Sequence, residues 1–284
     1  SAELFSNVFL DLKHKSLNPT LPGLASGFYD LDSITQGFQD SDLIIVAGRP
    51  SMGKTAVCLN IALNILKFYK NPVLFFSLEM SKEQLIYRLL SNEIEITSTK
   101  LKNGQLTEND WIKLNQAIKL MSSLPLFIDD TPNLSIQEIK SKTQRIIFEQ
   151  NHIGLIIIDY LQLMENPNTN SGNRVEELSK ITRALKNIAR EFKVPVIVLS
   201  QLSRSVETRM NKRPILSDLR ESGSIEQDAD LVLMLYRDSY YNESIFEQNI
   251  TELIVAKHRN GPLGMIKLNF EAEFTKFKKY KDKN

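Results

Sequence analysis

A glycine-containing loop between an apolar run and a helical pattern constrains the fold more than any other stretch. Residues 48–55 read GRPSMGKT and match the pattern G-x-x-x-x-G-K-[ST] at each fixed position. The apolar, β-branched run at 43–47 predicts a buried strand before the loop. Apolar residues at helical spacing follow from 56 to 66. The segment therefore predicts a strand, a phosphate-binding loop and a helix, in that order.

The residue types in this loop suit a nucleoside triphosphate. Glycine lets the backbone approach phosphate oxygens closely, and the amides and dipole of a helix start favour an anion. Lys54 is expected to reach the outer phosphates, and the Thr55 hydroxyl to hold Mg²⁺. A turn with a surface lysine is the alternative. The expected ligands are a nucleoside triphosphate and Mg²⁺, and the expected nucleotide-binding residues here are Gly48, Ser51, Gly53, Lys54, Thr55 and Ala56.

Composition indicates one large globular core and no general attraction to DNA or membranes. The chain has 284 residues, of which 42% are hydrophobic and 24% charged, and its formal net charge is +1. Any nucleic-acid contact must therefore come from local clusters of charge. The single cysteine, Cys58, excludes an internal disulfide and is expected in the core. No apolar run reaches membrane-spanning length, and the N-terminal segment lacks a signal-peptide layout.

Apolar runs and helical patterns alternate along the chain. Predicted strands lie at 43–47, 73–78, 126–129, 155–159, 194–200, 231–236 and 253–256. Predicted helices lie at 82–92, 108–122, 136–150 and 175–192. This alternation favours an α/β fold with a largely parallel sheet covered on both faces.

Local signals refine this organisation. Ser135 and Glu138 have the form of a capping box at a helix start. A polar loop is predicted at 166–172. Residues 1–20 are expected to form a linker helix and connector, and residues 21–284 the nucleotide-binding domain. One apolar stripe is expected to face the sheet from the last predicted helix: Val175, Leu178, Ile181, Leu185, Ile188 and Phe192.

Two acidic residues end predicted strands. Asp159 ends the apolar run at 155–159 in a Walker B arrangement, and its carboxylate is expected to help hold Mg²⁺. The next residue is Tyr160, so a water-activating base must come from elsewhere. Glu79 follows the strand at 73–78 and could orient or deprotonate water attacking the γ-phosphate. A helix N-terminal acid stabilised by the dipole is an equally open interpretation of Glu79.

Polar residues after the fifth predicted strand are candidates for phosphate sensing and nucleic-acid contact. Gln201 could hydrogen-bond the γ-phosphate or the attacking water, or it could cap backbone groups. A polar, glycine-containing stretch follows at 213–230. Basic residues with no compensating acidic run precede it and suit contact with a phosphate backbone, with a solvated surface loop as the alternative. They are Arg204, Arg209, Lys212 and Arg213.

The stretch AKHRNGPLG at 256–264 predicts a hairpin tip between two strands. Lys257, His258 and Arg259 lie at this exposed turn. A solvated hairpin is one interpretation. The other is a finger inserted into a neighbouring subunit's nucleotide site, where arginine offsets transition-state charge. No set of histidine and cysteine resembles a zinc site.

Seven stretches, taken in order, resemble the C-terminal motor domain of DnaB-type replicative DNA helicases of bacteria and plastids. The resemblance runs from about residue 21 to 270. It implies a RecA-like P-loop core with a C-terminal antiparallel hairpin, and ATP-dependent 5′-to-3′ helicase activity. The stretches are SGFYDLDSITQGFQ, AGRPSMGKTA, FFSLEMS, LIIIDYLQLM, VIVLSQLSR, LSDLRESGSIEQDAD and KHRNGPLG.

The resemblance also implies roles for individual residues. Glu79 would be the catalytic base, Asp159 the magnesium acid and Gln201 the phosphate sensor, acting with Lys54. Arg88 would lie near the nucleotide base. The finger residues Lys257, His258 and Arg259 would serve the adjacent subunit's site. Residues of the stretch 220–223 would line a central channel and grip single-stranded DNA, with the contacts made by Arg220, Glu221 and Gly223.

The same resemblance implies partners and a setting. Expected partners are single-stranded DNA and five further copies in a homohexameric ring, with primase and a helicase loader for a full-length protein. Family members carry an N-terminal helical domain, so this sequence is expected to be an excised motor domain located in a bacterial cytoplasm or plastid stroma. A RecA-like recombinase that forms filaments and an ATP-gated, protein-binding assembly module are the competing hypotheses.

Overall fold

The described part of the chain is built on one nine-stranded sheet. The computed structural model describes residues 21–164, 174–242 and 249–281, without the side chains of 174 and 220–224. The strands are β1 (Leu43–Gly48), β2 (Val73–Ser77), β3 (Leu126–Asp129), β4 (Leu155–Asp159), β5 (Val196–Gln201), β6 (Leu231–Tyr236), β7 (Ile250–His258), β8 (Gly264–Glu271) and β9 (Lys276–Lys279).

The strand order is β3-β2-β4-β5-β1-β6-β7-β8-β9. The strands from β3 to β6 in this order pair in parallel, and β7, β8 and β9 continue the sheet by antiparallel pairing. The carboxyl ends of the parallel strands therefore share one edge of the sheet. In open α/β sheets ligands bind at this carboxyl edge.

Helices cover both faces of the sheet. They are α1 (Tyr29–Thr35), α2 (Lys54–Asn64), α3 (Lys82–Ile94), α4 (Ser98–Asn103), α5 (Glu108–Met121), α6 (Ile136–Gln150), α7 (Arg174–Phe192) and α8 (Gly223–Asp228). A π-helical turn, Ile65–Tyr69, extends α2, and 3-10 turns at Arg204–Thr208 and Leu216–Ser222 lie between β5 and α8. Among the described residues no helix is both long and apolar enough to cross a membrane.

The alternation of side chains along β1 divides the core in two. Ile44 and Val46 pack in one cluster with α2 and α3, whereas Leu43 and Ile45 pack in a second cluster with α6 and α7. All four side chains are fully buried. A strand buried on both faces must be apolar throughout, which is why continuous apolar runs predicted these strands.

Most predicted elements are confirmed. The strands at 126–129, 155–159 and 231–236 and the helix at 136–150 have the predicted bounds. The capping box at Ser135 is present, and Cys58 is fully buried. The strand predicted at 253–256 is longer, because β7 pairs with β8 from Ile250 to Val255 and with β6 from Glu252 to His258. The C-terminal hairpin is confirmed, with β9 as a third antiparallel strand.

Other expectations need correction. In the predicted stripe of α7, Val175 is 46% exposed and Phe192 is only partly buried, so the two ends of the stripe are less buried than its middle. The short elements α1, α4 and β9 were not predicted. β9 has one buried apolar residue, Phe277, whose ring stacks on Phe270 with centroids 4.3 Å apart. Such a strand exists through a tertiary contact and has no sequence period of its own.

Two expectations fall outside the described residues. The linker helix and connector at 1–20 are one, and the polar loop at 166–172 is the other. The division of the chain at residue 20 remains a prediction.

Candidate nucleotide-binding and hydrolysis site

The loop after β1 has the backbone that a phosphate cradle requires. Ser51 and Gly53 have φ of 63° and 96°, and α2 begins directly after them at Lys54. The positive φ favours glycine at position 53, and a Cβ atom there would also come within 3.1 Å of the Phe277 ring. The Lys54 ammonium donates to the carbonyl oxygens of Gly48 at 3.0 Å and Arg49 at 3.2 Å.

A cavity of about 1020 Å³ opens over this loop. Its volume is sufficient for a nucleotide, since ligand pockets have volumes of roughly 300–1,000 Å³. Nine of the residues predicted for the site line it: Ser51, Gly53, Lys54, Thr55, Ala56, Glu79, Arg88, Asp159 and Gln201. The carboxyl ends of β1, β2, β4 and β5 thus meet around one volume, as the strand order requires.

The Thr55 hydroxyl donates to the Asp159 carboxylate at 2.7 Å, which joins the loop to the end of β4. Asp159 is only 1% exposed. Burial raises the pKa of Asp159 to about 6, and the Glu79 charge adds to the shift. The Thr55 hydrogen bond and the charges of Lys54 and Arg88 act in the opposite direction. Because these groups do not fully offset the burial of its negative charge, the Asp159 carboxylate is suited to bind a cation.

Two cations lie close to the two carboxylates. Burial lowers the pKa of both Lys54 and Arg88, and the charges of Asp159 and Glu79 partly restore it. Arg88 therefore lies near the Asp159 and Glu79 carboxylates. The prediction that it contacts the nucleotide base stays a prediction.

Gln201 ends β5 directly beside Gly48 of β1. Its side chain is exposed and lines the cavity. A neighbouring amide, Gln162, contacts the β5 backbone: Gln162 Nε2 donates to Ser200 Oγ at 3.1 Å and to the Gln201 carbonyl at 3.4 Å. The Gln201 amide in turn donates to Gln162 Oε1 at 3.4 Å. Gln162 was not predicted, because its proximity to β5 depends on the pairing of β4 with β5.

Arg237 is a second residue that sequence reasoning missed. It follows β6, lines the cavity and lies 5.0 Å from the centroid of the Phe270 ring. Its Nε is buried without a hydrogen-bond partner, and burial alone lowers its pKa. A partly buried guanidinium with no acidic partner among the described residues is well suited to an anionic ligand. No motif marks it, since a single arginine after a strand is common.

The finger residues lie away from this cavity. His258 pairs with Leu231 at the start of β6, which is level with Ile44 at the start of β1. The phosphate-binding loop begins at Gly48, roughly 13 Å further along β1 at about 3.3 Å per residue. The finger is therefore at the amino edge of the sheet, and the nucleotide cavity is at the carboxyl edge.

Contacts within the subunit hold the finger. The Arg259 guanidinium donates to the Gln227 carbonyl at 3.0 Å and lies 3.2 Å from the Asp230 carboxylate. Lys257 donates to the carbonyl oxygens of Glu226 and Gln227 at the end of α8. His258 Nδ1 lies 3.3 Å from the Pro262 carbonyl oxygen. These contacts orient the basic side chains on the surface without involving the subunit's own cavity.

The stretch between β5 and β6 is more ordered and less basic than expected. It forms 3-10 turns and α8, whereas a flexible loop was predicted. Arg209 is paired with Asp218 at 2.7 Å and Arg213 with Glu252 at 2.7 Å. Asp218 within the stretch and Glu252 on β7 therefore neutralise part of the predicted positive cluster. The predicted DNA contacts Arg220, Glu221 and Gly223 lie on helical backbone here, and their side chains are outside the described residues.

A phosphate-binding loop, a Walker B acid and a mostly parallel sheet with this order define a P-loop protein with a RecA-like core. The model of the DnaB-like helicase C terminal domain matches residues 23–279. The chain belongs to that family.

Relatives and solved structures agree with this assignment. A probable replicative DNA helicase of Trieres chinensis is 69% identical over 283 residues, which are 99% of this chain and 62% of the relative. The replicative DNA helicase DnaB of Geobacillus stearothermophilus is 51% identical over 257 residues, or 90% of this chain and 56% of the relative. The chain thus spans little more than half the length of these relatives.

Two solved structures share the fold. One is an ATPase domain, which superposes with a TM-score of 0.93 and 41% identity, covering 99% of this chain and 98% of that one. The other is a DnaB-like replicative helicase, solved in a study of its interactions with primase. It has a TM-score of 0.90 and 40% identity, covering 99% of this chain and 67% of that one.

Proposed function

We propose that this chain is the ATP-hydrolysing motor of a replicative DNA helicase that moves 5′ to 3′ along single-stranded DNA as a ring of six copies. One observation carries the proposal. The triphosphate cavity and the basic finger lie at opposite edges of the same sheet, so the finger cannot complete its own subunit's site. It can complete a site only on a neighbouring copy, as a ring requires.

The residues fit Mg²⁺ and ATP. The Thr55 hydroxyl at the start of α2 and the Asp159 carboxylate at the end of β4, 2.7 Å apart, would provide two oxygen ligands. Magnesium in such sites is held by one or two protein oxygens and the substrate phosphates. Among the described residues, no group of three or more His, Cys, Asp or Glu could hold a metal by itself. Bound Mg²⁺ would neutralise charge on the outer phosphates.

The chain's own groups then act as follows. Lys54 leaves the loop carbonyls and pairs with the outer phosphates, while Glu79 orients the attacking water and accepts its proton. Gln201 hydrogen-bonds the γ-phosphate and reports its loss to the segment that follows it. Arg259 and Lys257, with His258 beside them, offset transition-state charge in the next subunit's cavity.

Nucleic acid would be held by the segment before α8, through Arg220, Glu221 and Gly223. Backbone contact without base stacking suits a motor that must move along any sequence. For a longer protein containing this domain we propose primase and a helicase loader as partners, in a bacterial cytoplasm or plastid stroma. A solved relative studied with primase supports the first of these partners.

Complementation between defective subunits tests the proposal. Lys54→Ala removes function at a subunit's own cavity, and Arg259→Ala removes the finger it lends. Mixtures of the two variants should regain ATP hydrolysis at interfaces that combine an intact Lys54 with an intact Arg259. Size-exclusion chromatography with light scattering must first show co-assembly. Mixed assemblies with no recovered hydrolysis would contradict the shared site, and wild-type hydrolysis unaffected by single-stranded DNA would contradict the motor function.

A further inference from the structure

Arg49, the second residue of the phosphate-binding loop, turns its side chain away from the nucleotide cavity. The residue is only 7% exposed. Its Nη1 donates to the Leu202 carbonyl oxygen at 2.8 Å, and its Nε pairs with the Glu207 carboxylate at 2.9 Å. Leu202 follows Gln201 directly, and Glu207 lies in the 3-10 turn Arg204–Thr208. The guanidinium thus binds the segment that leaves the proposed phosphate sensor.

The backbone of the same residue contacts the group expected to bind phosphate. The Arg49 carbonyl accepts a hydrogen bond from the Lys54 ammonium at 3.2 Å and from the Met52 amide at 3.3 Å. Leu202 also contacts the loop through its own amide, which donates to the Gly48 carbonyl at 3.4 Å. A triphosphate that attracts Lys54 removes donors from Gly48 and Arg49. Nucleotide binding therefore changes hydrogen bonding at the residue whose side chain holds the next segment.

The two ends of the segment held by Arg49, residues 202–218, contact each other. The Ser203 amide donates to the Asp218 carbonyl at 3.0 Å, and Arg209 pairs with the Asp218 carboxylate at 2.7 Å. Val206 is 1% exposed and anchors the turn in the core. Asp218 lies two residues before Arg220. Lys54 is thus linked to the Arg49 carbonyl, and the Arg49 side chain is linked to Leu202 and Glu207. Within residues 202–218, further contacts lead to Asp218, just before the stretch proposed to grip DNA.

Burial makes this link specific. A buried guanidinium must satisfy its donors, and moving it without its partners leaves an unpaired charge and an orphaned carbonyl. Glu207 can follow Arg49 because its own side chain is 38% exposed. The phosphate-binding loop and the 202–218 segment must therefore move together, or the Arg49 guanidinium must find new hydrogen-bond partners.

We propose that Arg49 is a positioning residue that transmits nucleotide occupancy of the phosphate-binding loop to the DNA-gripping segment. This inference rests on the proposed function for the identity of that segment. Arg49 touches neither phosphate nor DNA in this role. It acts through Leu202 and Glu207.

Nucleotide-dependent DNA affinity is the direct test. The dissociation constant of a fluorescent oligothymidine is measured on the assembled chain with and without Mg-ATPγS. Coupling between sites commonly changes affinity about 5- to 150-fold. The coupling is the ratio of the dissociation constants measured without and with Mg-ATPγS. Arg49→Met, which keeps the apolar stem, and Glu207→Gln should both bring this ratio towards one. The double variant should lose no more coupling than Arg49→Met alone, because the two residues act as one unit. Glu108→Gln, an exposed acid on α5, is the matched control.

Hydrogen exchange gives a readout that needs no DNA. Mg-ATPγS should change amide exchange over residues 203–218 in the wild type, and this change should be lost in Glu207→Gln, which touches no ligand. The inference would be overturned if Arg49→Met kept both the wild-type ratio of DNA dissociation constants and the wild-type exchange response to Mg-ATPγS. It would also be overturned if Arg49→Met only lowered the melting temperature and left both responses intact. Absence of DNA binding by the wild type would contradict the proposed function instead, and the exchange response would still test the link.

Discussion

Under the proposed function, the two edges of the central sheet carry different halves of the same chemistry. At the carboxyl edge, Thr55 and Asp159 form a deep site in which burial raises the pKa of the acid to about 6. At the amino edge, the Arg259 and Lys257 side chains are held near the surface by the end of α8 and by Asp230. A buried site can bind a nucleotide within one subunit, whereas an exposed finger can act only on the site of a neighbouring subunit. Under the proposed function, one subunit is therefore complete for binding and incomplete for turnover.

The largest expected effect is at the carboxyl edge. Lys54→Ala should abolish both ATP binding and hydrolysis, because the ammonium that offsets the outer phosphate charges is removed. Isothermal titration with Mg-ATP and a phosphate-release assay measure the two losses. Lys119→Ala, at an exposed lysine of α5, should behave as the wild type. ATP binding retained by Lys54→Ala at wild-type affinity would show that this edge does not hold the triphosphate as described.

The amino edge should respond differently. Arg259→Ala should leave ATP affinity unchanged and lower turnover by about a thousandfold, as expected for loss of an arginine finger. Binding and rate are compared under conditions in which the variant still assembles. Turnover at the wild-type rate would remove the functional distinction between the two edges.

Arg237 sharpens the description of the binding edge. Arg237→Met keeps the stem near Phe270 and removes the unpartnered charge, so ATP affinity should fall roughly ten- to a hundredfold, the usual range for a charge-assisted hydrogen bond. Competition with inorganic tripolyphosphate separates the possible contacts. Equal weakening for both ligands indicates a phosphate contact, and weakening for ATP alone indicates the nucleoside. The exposed Arg190 provides the control Arg190→Met, and unchanged affinity for both ligands would exclude Arg237 from the site.

The smallest effect concerns stability at the same edge. The pKa of Asp159 is raised from 3.8 to about 6 in the folded protein, so folding binds a proton between these values and stability falls as pH rises through that window. Asp159→Asn should therefore stabilise the nucleotide-free protein above pH 6, by about 1–3 kcal/mol in the free energy of unfolding, while Mg-ATP binding is lost.

Urea denaturation at pH 4 and pH 7 measures this difference. The variant should gain stability over the wild type at pH 7 and little at pH 4. Asp40→Asn, at an exposed acid, should show no such pH-dependent gain. A destabilised Asp159→Asn at pH 7 would mean that the Thr55 hydrogen bond contributes more than the burial of the charge costs.

How far the sequence anticipates the site depends on where each signal comes from. Lys54 and Thr55 belong to a contiguous motif with a fixed backbone, and Asp159 and Glu79 end apolar runs, so local pattern reveals all four. Gln162 and Arg237 belong to no motif. The first is placed by the pairing of β4 with β5, and the second by the position of β6 beside β1. Charge was misjudged for the same reason, since Glu252 of β7 neutralises Arg213 across 39 residues.

The sequence alone determined the α/β class, most strand and helix bounds and the residues of the phosphate cradle. These follow from the periodicity of burial and from the backbone freedom of glycine, which act over a few residues at a time. The tertiary structure decided which charges are paired, where Arg49 and Arg237 point and which edge of the sheet carries the finger. Those properties depend on strand order, and strand order brings together residues that no local pattern relates.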